Sequence, residues 1–296
     1  MKIAFIVLCH KNPSQINALI DFLTGNNSDF YIHIDKKSQI KEEINKADNI
    51  KILDGSMRVD IKWGQSSMVE ATFNAIETII KSENEYDYVW LISGQDFPIK
   101  PRDYIIEYLE RNKGANFIEV IKNINTHQRY LKRTSLYYPK WIVNNKTWIK
   151  IIKRFYIEIT GGYNRTFIKR KNTTGMEFYF GSQWWALTYD FIKYAFEFYK
   201  ANPEKIQYFE NTIIPDESLF QTIIMNSKYK DSVIDSLTHI NWEGNKRSPK
   251  TFTINDVDEL RSSKFLLARK FDEGVDSEII ENISKSNSKF NIMKNN

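Results

Sequence analysis

The segment Ile3-Ala4-Phe5-Ile6-Val7-Leu8-Cys9 is apolar at every position and is followed, past His10-Lys11-Asn12, by the helix-period segment Pro13 to Leu23. A short unbroken apolar run beside an amphipathic segment opens an α/β unit, in which a helix is laid across a buried strand. Working outward, the alternation repeats. Phe30 to Asp35 is the next apolar run, Ile40 to Ala47 the next helix-period segment, and Ile50 to Leu53 a third short run. A helix from Ser67 to Lys81, the run Tyr88 to Ser93, a helix from Pro101 to Asn112 and the run Phe117 to Ile121 continue it. This rhythm predicts an α/β fold with a central mixed, mostly parallel sheet flanked by helices.

Two helix starts carry local signals. Asn12 precedes Pro13, and Ser67 stands three residues before Glu70 in the spacing of a capping box, so each is expected to satisfy free backbone N–H groups. The second half is less regular, with a strand expected over Trp184 to Leu187 and helices over Tyr189 to Ala201, Asp216 to Met225 and Asp276 to Lys285. Neither an internal repeat nor a disordered linker interrupts the chain, which predicts one domain over 1–296.

With 296 residues, 42% hydrophobic and 14% aromatic, the chain is long enough to bury a large core. Cys9 is its single cysteine, which excludes a disulfide within the chain and predicts a reducing compartment. No run approaches the roughly 20 apolar residues that span a bilayer. The first apolar run ends in His10-Lys11 rather than in a small-residue cleavage site. The expectation is a cytoplasmic protein, at most peripheral on the cytoplasmic membrane face.

The net charge of +5 is unevenly distributed: residues 122–171 hold thirteen lysines and arginines against one acid, Glu158, a local +12 that leaves −7 for the rest. Nine aromatics are interleaved there, Trp141, Trp148 and Phe155 among them. Such a mixture suits an anionic membrane surface or an anionic polymer. A solvated basic face with its aromatics turned inward is the alternative.

In an open α/β sheet ligands bind beyond the carboxyl ends of the strands. Those positions hold Cys9-His10-Lys11, His33-Ile34-Asp35-Lys36 and Ser93-Gly94-Gln95-Asp96-Phe97-Pro98-Ile99. Three polar strand ends in one half point to a nucleotide pocket. Neither G-x-G-x-x-G nor G-x-x-x-x-G-K-[ST] occurs, so dinucleotide-binding and NTPase readings lose support.

Five blocks in order resemble the core-2/I-branching β-1,6-N-acetylglucosaminyltransferases and the related peptide O-xylosyltransferases. They are Arg58-Val59-Asp60-Ile61-Lys62-Trp63-Gly64, the Ser93 to Ile99 block, Gly181-Ser182-Gln183-Trp184-Trp185, Pro215-Asp216-Glu217-Ser218 and Leu266-Leu267-Ala268-Arg269-Lys270-Phe271-Asp272. The resemblance implies a GT-A-type fold and inverting transfer of a sugar from a UDP-sugar to a glycan acceptor. It divides the domain into a nucleotide-binding half over about 1–121, the basic aromatic segment 122–171 and an acceptor half over 172–290. The sugar implied is N-acetylglucosamine, with xylose as the second choice. A lipid-linked acceptor, with an anionic membrane surface as a further partner of 122–171, is a further expectation; no nucleic acid is expected.

The family lacks the metal-binding D-x-D of other GT-A enzymes, and the matching loop here, Ser93-Gly94-Gln95-Asp96, has one acid. No divalent metal and no other cofactor is therefore expected. A literal D-x-D at Asp256-Val257-Asp258 follows Thr253 at what reads as a helix start, where first-turn acids and a threonine cap are common. Without metal the leaving diphosphate needs protein cations. By the resemblance these are Lys270 and, with an ungapped alignment, Arg247, with Lys246 and Arg269 as neighbours able to take either role. The general base implied is Glu217, because inverting transfer needs one carboxylate to accept the acceptor hydroxyl's proton. Donor contacts are expected from His10, Asp35, Asp60, Trp63 and Asp96, with Asp96 alternatively locking its own loop. Acceptor contacts are expected from Trp242, and from Glu177 at a spacing shorter than the family's. The competing reading is a membrane- or anionic-polymer-binding protein that uses 122–171.

Overall fold

A computed structural model describes residues 1–122, 124–138, 169–242 and 248–285. Arg247 and most of the basic segment 122–171 lie outside the described residues.

The run that opened the sequence reading is a strand, β1 (Ile3–Cys9), and every residue of it is buried. Its odd and even positions enter different cores, which is the physical reason that the run lacks polar alternation. Ile3, Phe5 and Val7 pack with Leu19, Ile20 and Leu23 of helix α1 (Pro13–Leu23). Ala4, Ile6 and Leu8 pack on the opposite face with Val69, Phe73 and Ile76 of helix α2 (Ser67–Lys81). Strands β2 (Ser28–Ile34), β3 (Ile50–Ile52) and β4 (Tyr88–Ser93) run parallel to β1, with Phe5 opposite Phe30 on one side and Trp90 on the other.

A second sheet begins with β5 (Asp96–Pro98), and helix α3 (Arg102–Arg111) leads into β6 (Asn116–Ile118). Helix α4 (Ile124–Ser135) follows, and then β7 (Trp185–Thr188) and helices α5 (Tyr189–Ala201), α6 (Pro203–Glu210) and α7 (Leu219–Met225). Short strands β8 (Val233–Ile234) and β9 (Thr238–Ile240), helix α8 (Val257–Ser262) and strand β10 (Leu267–Arg269) come last, with residues 278–285 also helical. Among the described residues the main sheet has the order β3-β2-β1-β4-β7-β6-β8, and β7 alone runs against its neighbours. The smaller sheet, β5-β10-β9, brings the C-terminal Arg269 opposite Asp96, next to the carboxyl end of β4. The mixed, mostly parallel sheet with helices on both faces is the architecture that the rhythm predicts.

Several local expectations are corrected. Only Ile40–Glu43 of the segment 40–47 is helical, as a single 3-10 turn. Asp216 to Met225 is not one helix: Pro215–Glu217 is a 3-10 turn, Ser218 intervenes, and α7 starts at Leu219. Asn12 has left-handed backbone angles and caps nothing with its side chain, which instead donates to Asp272 Oδ1 at 2.7 Å. Ser67 lies inside α2, and its hydroxyl accepts from Lys62 N–H and donates to the Lys62 carbonyl. At Thr253 the cap expectation holds, since Thr253 and Asp256 form a complete capping box and Asp256 pairs with Lys250 at 2.6 Å. The first aspartate of the D-x-D is thereby engaged in local structure.

Candidate active site

The carboxyl ends of β1, β2 and β4 open into a cavity of about 330 Å³. A half-buried arginine and a buried histidine hold this end of the sheet together. Arg58 donates to the carbonyls of Ile34, Asp35 and Ser38, and the ring of His33, 1% exposed, accepts Val59 N–H at 2.9 Å. Burial holds His33 down at about 4, so it is neutral in the native protein near pH 7. Cys9 is buried beside it, and desolvation pushes its thiol up to about 12, which removes it as a nucleophile at neutral pH. Gly94 is required for close approach, because a Cβ there would stand 2.9 Å from both Cys9 Cβ and Ile16 Cγ1.

His10, Asp35 and Trp63 line this cavity. Its surroundings and the neighbouring Lys11 ammonium hold the His10 imidazole below the ordinary histidine range. Trp63 is 65% exposed, an unusually large apolar side chain to stand open at a cavity wall. Asp60 stands outside the lining, with its carboxylate on Lys37 Nζ at 2.6 Å. Asp96 lies beneath the pocket rather than in its wall. Its side chain is 0% exposed, and its oxygens accept Ser93 N–H at 2.7 Å and Arg269 Nη1 at 2.8 Å. The loop-locking role is the one that this geometry displays. Arg269 is accordingly neither surface charge nor a free cation: it spans Asp96 and Ser93 and stacks over Trp184 at 4.4 Å.

A second cavity, of about 440 Å³, adjoins the first and shares Trp63, Gln95, Gln183, Trp184 and Arg269 with it. The two form one cleft with a common neck. Gln95 Nε2 and Gln183 Nε2 at that neck are buried with no hydrogen-bond partner among the described residues. Unpaired buried donors are unfavourable, and a ligand oxygen would satisfy them.

Glu217, Lys270 and Trp242 all line the second cavity. Trp242 is 56% exposed, with its indole free to stack on a sugar ring. Lys270 has no carboxylate partner among the described residues, whereas Lys11 is paired with Asp272 at 2.5 Å. Partial burial together with the Lys11 and Arg269 charges holds the Lys270 ammonium below its ordinary range. Crowded cations of this kind are relieved by an anion. Glu177 does not reach this cleft. It lines a neighbouring cavity of about 420 Å³ with His127 and Lys230, which meets the cleft at Ile121, and accepts a hydrogen bond from Tyr179 Oη at 2.9 Å.

Two charged residues that the sequence reading did not single out surround Glu217. Arg133 of α4 places Nη1 2.5 Å from Glu217 Oε2, and Glu119, just past β6, opens onto the same cavity. The Gly181-Ser182 turn joins them: Gly181 N–H donates to the Glu217 carbonyl at 3.0 Å, and Ser182 N–H to Glu119 Oε2 at 2.7 Å. A Cβ on Gly181 would meet the Glu119 carbonyl oxygen at 1.9 Å, so only glycine fits between the two. No local pattern announces these contacts, since Arg133 and Glu217 are 84 residues apart.

The fold and site thus define an α/β protein whose strand ends carry a polar, cation-bearing pocket that continues into a groove with a carboxylate and an exposed indole. The chain belongs to the Core-2/I-Branching enzyme family, whose profile matches residues 3–264. Among curated proteins it is similar to a xylosyltransferase of Ciona intestinalis, 22% identical over 96% of this chain and 34% of that protein. Xylosyltransferase oxt of Drosophila melanogaster is 23% identical over 95% of this chain and 33% of its own length. Xylosyltransferase 1 of Rattus norvegicus is 24% identical over 95% and 35%. The chain spans about a third of the length of these relatives.

Proposed function

We propose that this protein is an inverting glycosyltransferase that moves a sugar from a UDP-sugar to a hydroxyl of a carbohydrate acceptor without a divalent metal. The observation that carries the reading is the single cleft in which Lys270, Trp242 and the carboxylate of Glu217 line one wall-sharing cavity next to the strand-end pocket. The donor nucleotide occupies the strand-end pocket by His10, Asp35 and Trp63, and the acceptor sugar stacks on Trp242. The acceptor hydroxyl oxygen attacks the anomeric carbon and the bond from that carbon to UDP breaks. The hydroxyl proton passes to Glu217, and attack from the face opposite the leaving group inverts the centre. Lys270 balances charge developing on the diphosphate. Arg247, assigned the same task by the resemblance, lies outside the described residues.

Support for charge balance by a protein cation comes from Lys270, which has no carboxylate partner among the described residues and is held below its ordinary range by partial burial and the Lys11 and Arg269 charges. Because the curated relatives are named xylosyltransferases, UDP-xylose is proposed as a donor beside UDP-N-acetylglucosamine. UDP release from a panel of UDP-sugars, measured with and without EDTA, tests the reading. Turnover of one donor, undiminished in EDTA, is expected; dependence on added divalent metal contradicts it.

A further inference from the structure

Glu217 shares its surroundings with two other carboxyl groups. Glu119 lines the same cavity, and Asp216 is the preceding residue on the 3-10 turn, its Oδ1 buried without a hydrogen-bond partner among the described residues. Glu119 and Asp216 each lie close enough to Glu217 to repel it when ionised, so protons are shared unequally among them. A base must be the ionised member. The cation in direct contact with this cluster is Arg133, on Glu217 Oε2 at 2.5 Å; its guanidinium lies 4.0 Å over the ring of Tyr130, which also lines the cleft.

The geometry points to Arg133 as the positioning residue of the catalytic base: by pairing with Glu217 Oε2 it selects Glu217 as the ionised member of the cluster and leaves Oε1 to accept the acceptor proton. The inference rests on the proposed role of Glu217. The neighbouring groups behave accordingly. Burial and the Glu217 charge push Asp216 up to about 7, and burial followed by Glu217 and Asp235 raises Glu119 above the ordinary carboxylate range. Both shifts run towards the neutral form, whereas Glu217 is the carboxylate that Arg133 contacts directly. The remaining charges in this cavity, Arg269 and Lys270 at the end of β10, belong to the donor side, and Arg269 is already committed to Asp96. Arg133 does not touch the reacting atoms. Its effect on the reaction passes through the base.

The test compares Arg133→Gln and Arg133→Lys with the native protein in kcat against pH, with UDP affinity and thermal midpoint measured alongside. An opposite charge in contact typically displaces a carboxyl's titration by about 1 to 3 pH units. Arg133→Gln is therefore expected to move the acid limb of kcat to higher pH, with activity at pH 6 falling about tenfold further than at pH 8 and UDP affinity unchanged. Arg133→Lys, which keeps the charge, is expected to restore the limb. A Gln variant whose profile runs parallel to the native one overturns the inference, as does a Lys variant no closer to native than Gln. If Arg133→Gln fails to fold, the lysine variant decides alone: a native acid limb supports the inference and a displaced one overturns it. Glu217→Gln separates the two claims. Full activity there sinks the base assignment itself, whereas loss of activity there with a native Arg133→Gln profile sinks only the role of Arg133.

Discussion

At the scale of single residues, the sequence shows which side chains stand at strand ends but not which way they turn. His10, Asp35 and Trp63 reach the cavity, while Asp96, three residues past the end of its strand, is folded back under it. The deciding partner of Asp96 is Arg269, 173 positions away, and no local pattern encodes such a contact. His33 is a similar case. It belongs to one of the polar strand-end blocks and borders the cavity, yet it is a buried neutral ring that accepts Val59 N–H. Its titration is lowered from 6.5 to about 4 on folding. The unfolded chain takes up this proton as pH drops below about 6.5 while the native site resists it. The contribution of His33 is therefore complete above that value and is lost as pH falls towards 4. Between pH 7.5 and 5 it accounts for about 2 kcal/mol of lost stability. Urea unfolding at the two pH values measures this, and in His33→Gln that part of the pH dependence is expected to disappear.

At the scale of elements, unbroken apolar runs and helix-period segments located β1, α1, α2 and β4 well, because burial on two faces leaves a strong compositional trace. Short elements left little trace. β8, β9 and β10 have two or three residues each, and their existence depends on pairing rather than on pattern. The Pro-Asp-Glu block was legible as a motif, but not as a 3-10 turn separated from the following helix by Ser218. That separation matters for the site, since the turn is carried by Gly181 N–H on the Glu217 carbonyl rather than by a helical frame. Gly181→Ala inserts a methyl group 1.9 Å from the Glu119 carbonyl oxygen, so the backbone must shift. The expected result is a loss of about 1 to 3 kcal/mol in stability. A fall in kcat of more than about tenfold is expected with it, because small misplacements of a catalytic group are amplified in rate. UDP affinity is expected to fall less than kcat, since Gly181 does not itself line the strand-end pocket. Calorimetry, steady-state kinetics and UDP titration on the same preparation read all three quantities.

At the scale of the whole molecule, one cleft is assembled from both ends of the chain. The first strand supplies the strand-end pocket, β10 returns Arg269 to the neck with Lys270 just beyond it, and the turn before α7 supplies the carboxylate. The βαβ rhythm made the sheet legible, and five ordered blocks made the family legible. The union of the two cavities was not, because it depends on packing between segments more than a hundred residues apart. Charge composition marked 122–171 as unusual, and the one described arginine in it that bears on the site, Arg133, faces the carboxylate cluster. That placement is invisible to a count of charges.

The central claim is that Glu217 takes the acceptor's proton, and the most direct measurement is turnover by Glu217→Gln set against UDP binding by the same protein. Removal of a general base lowers the rate by about 10² to 10⁴-fold. The account predicts a loss in that range with UDP affinity unchanged. Native turnover by the glutamine variant would contradict it.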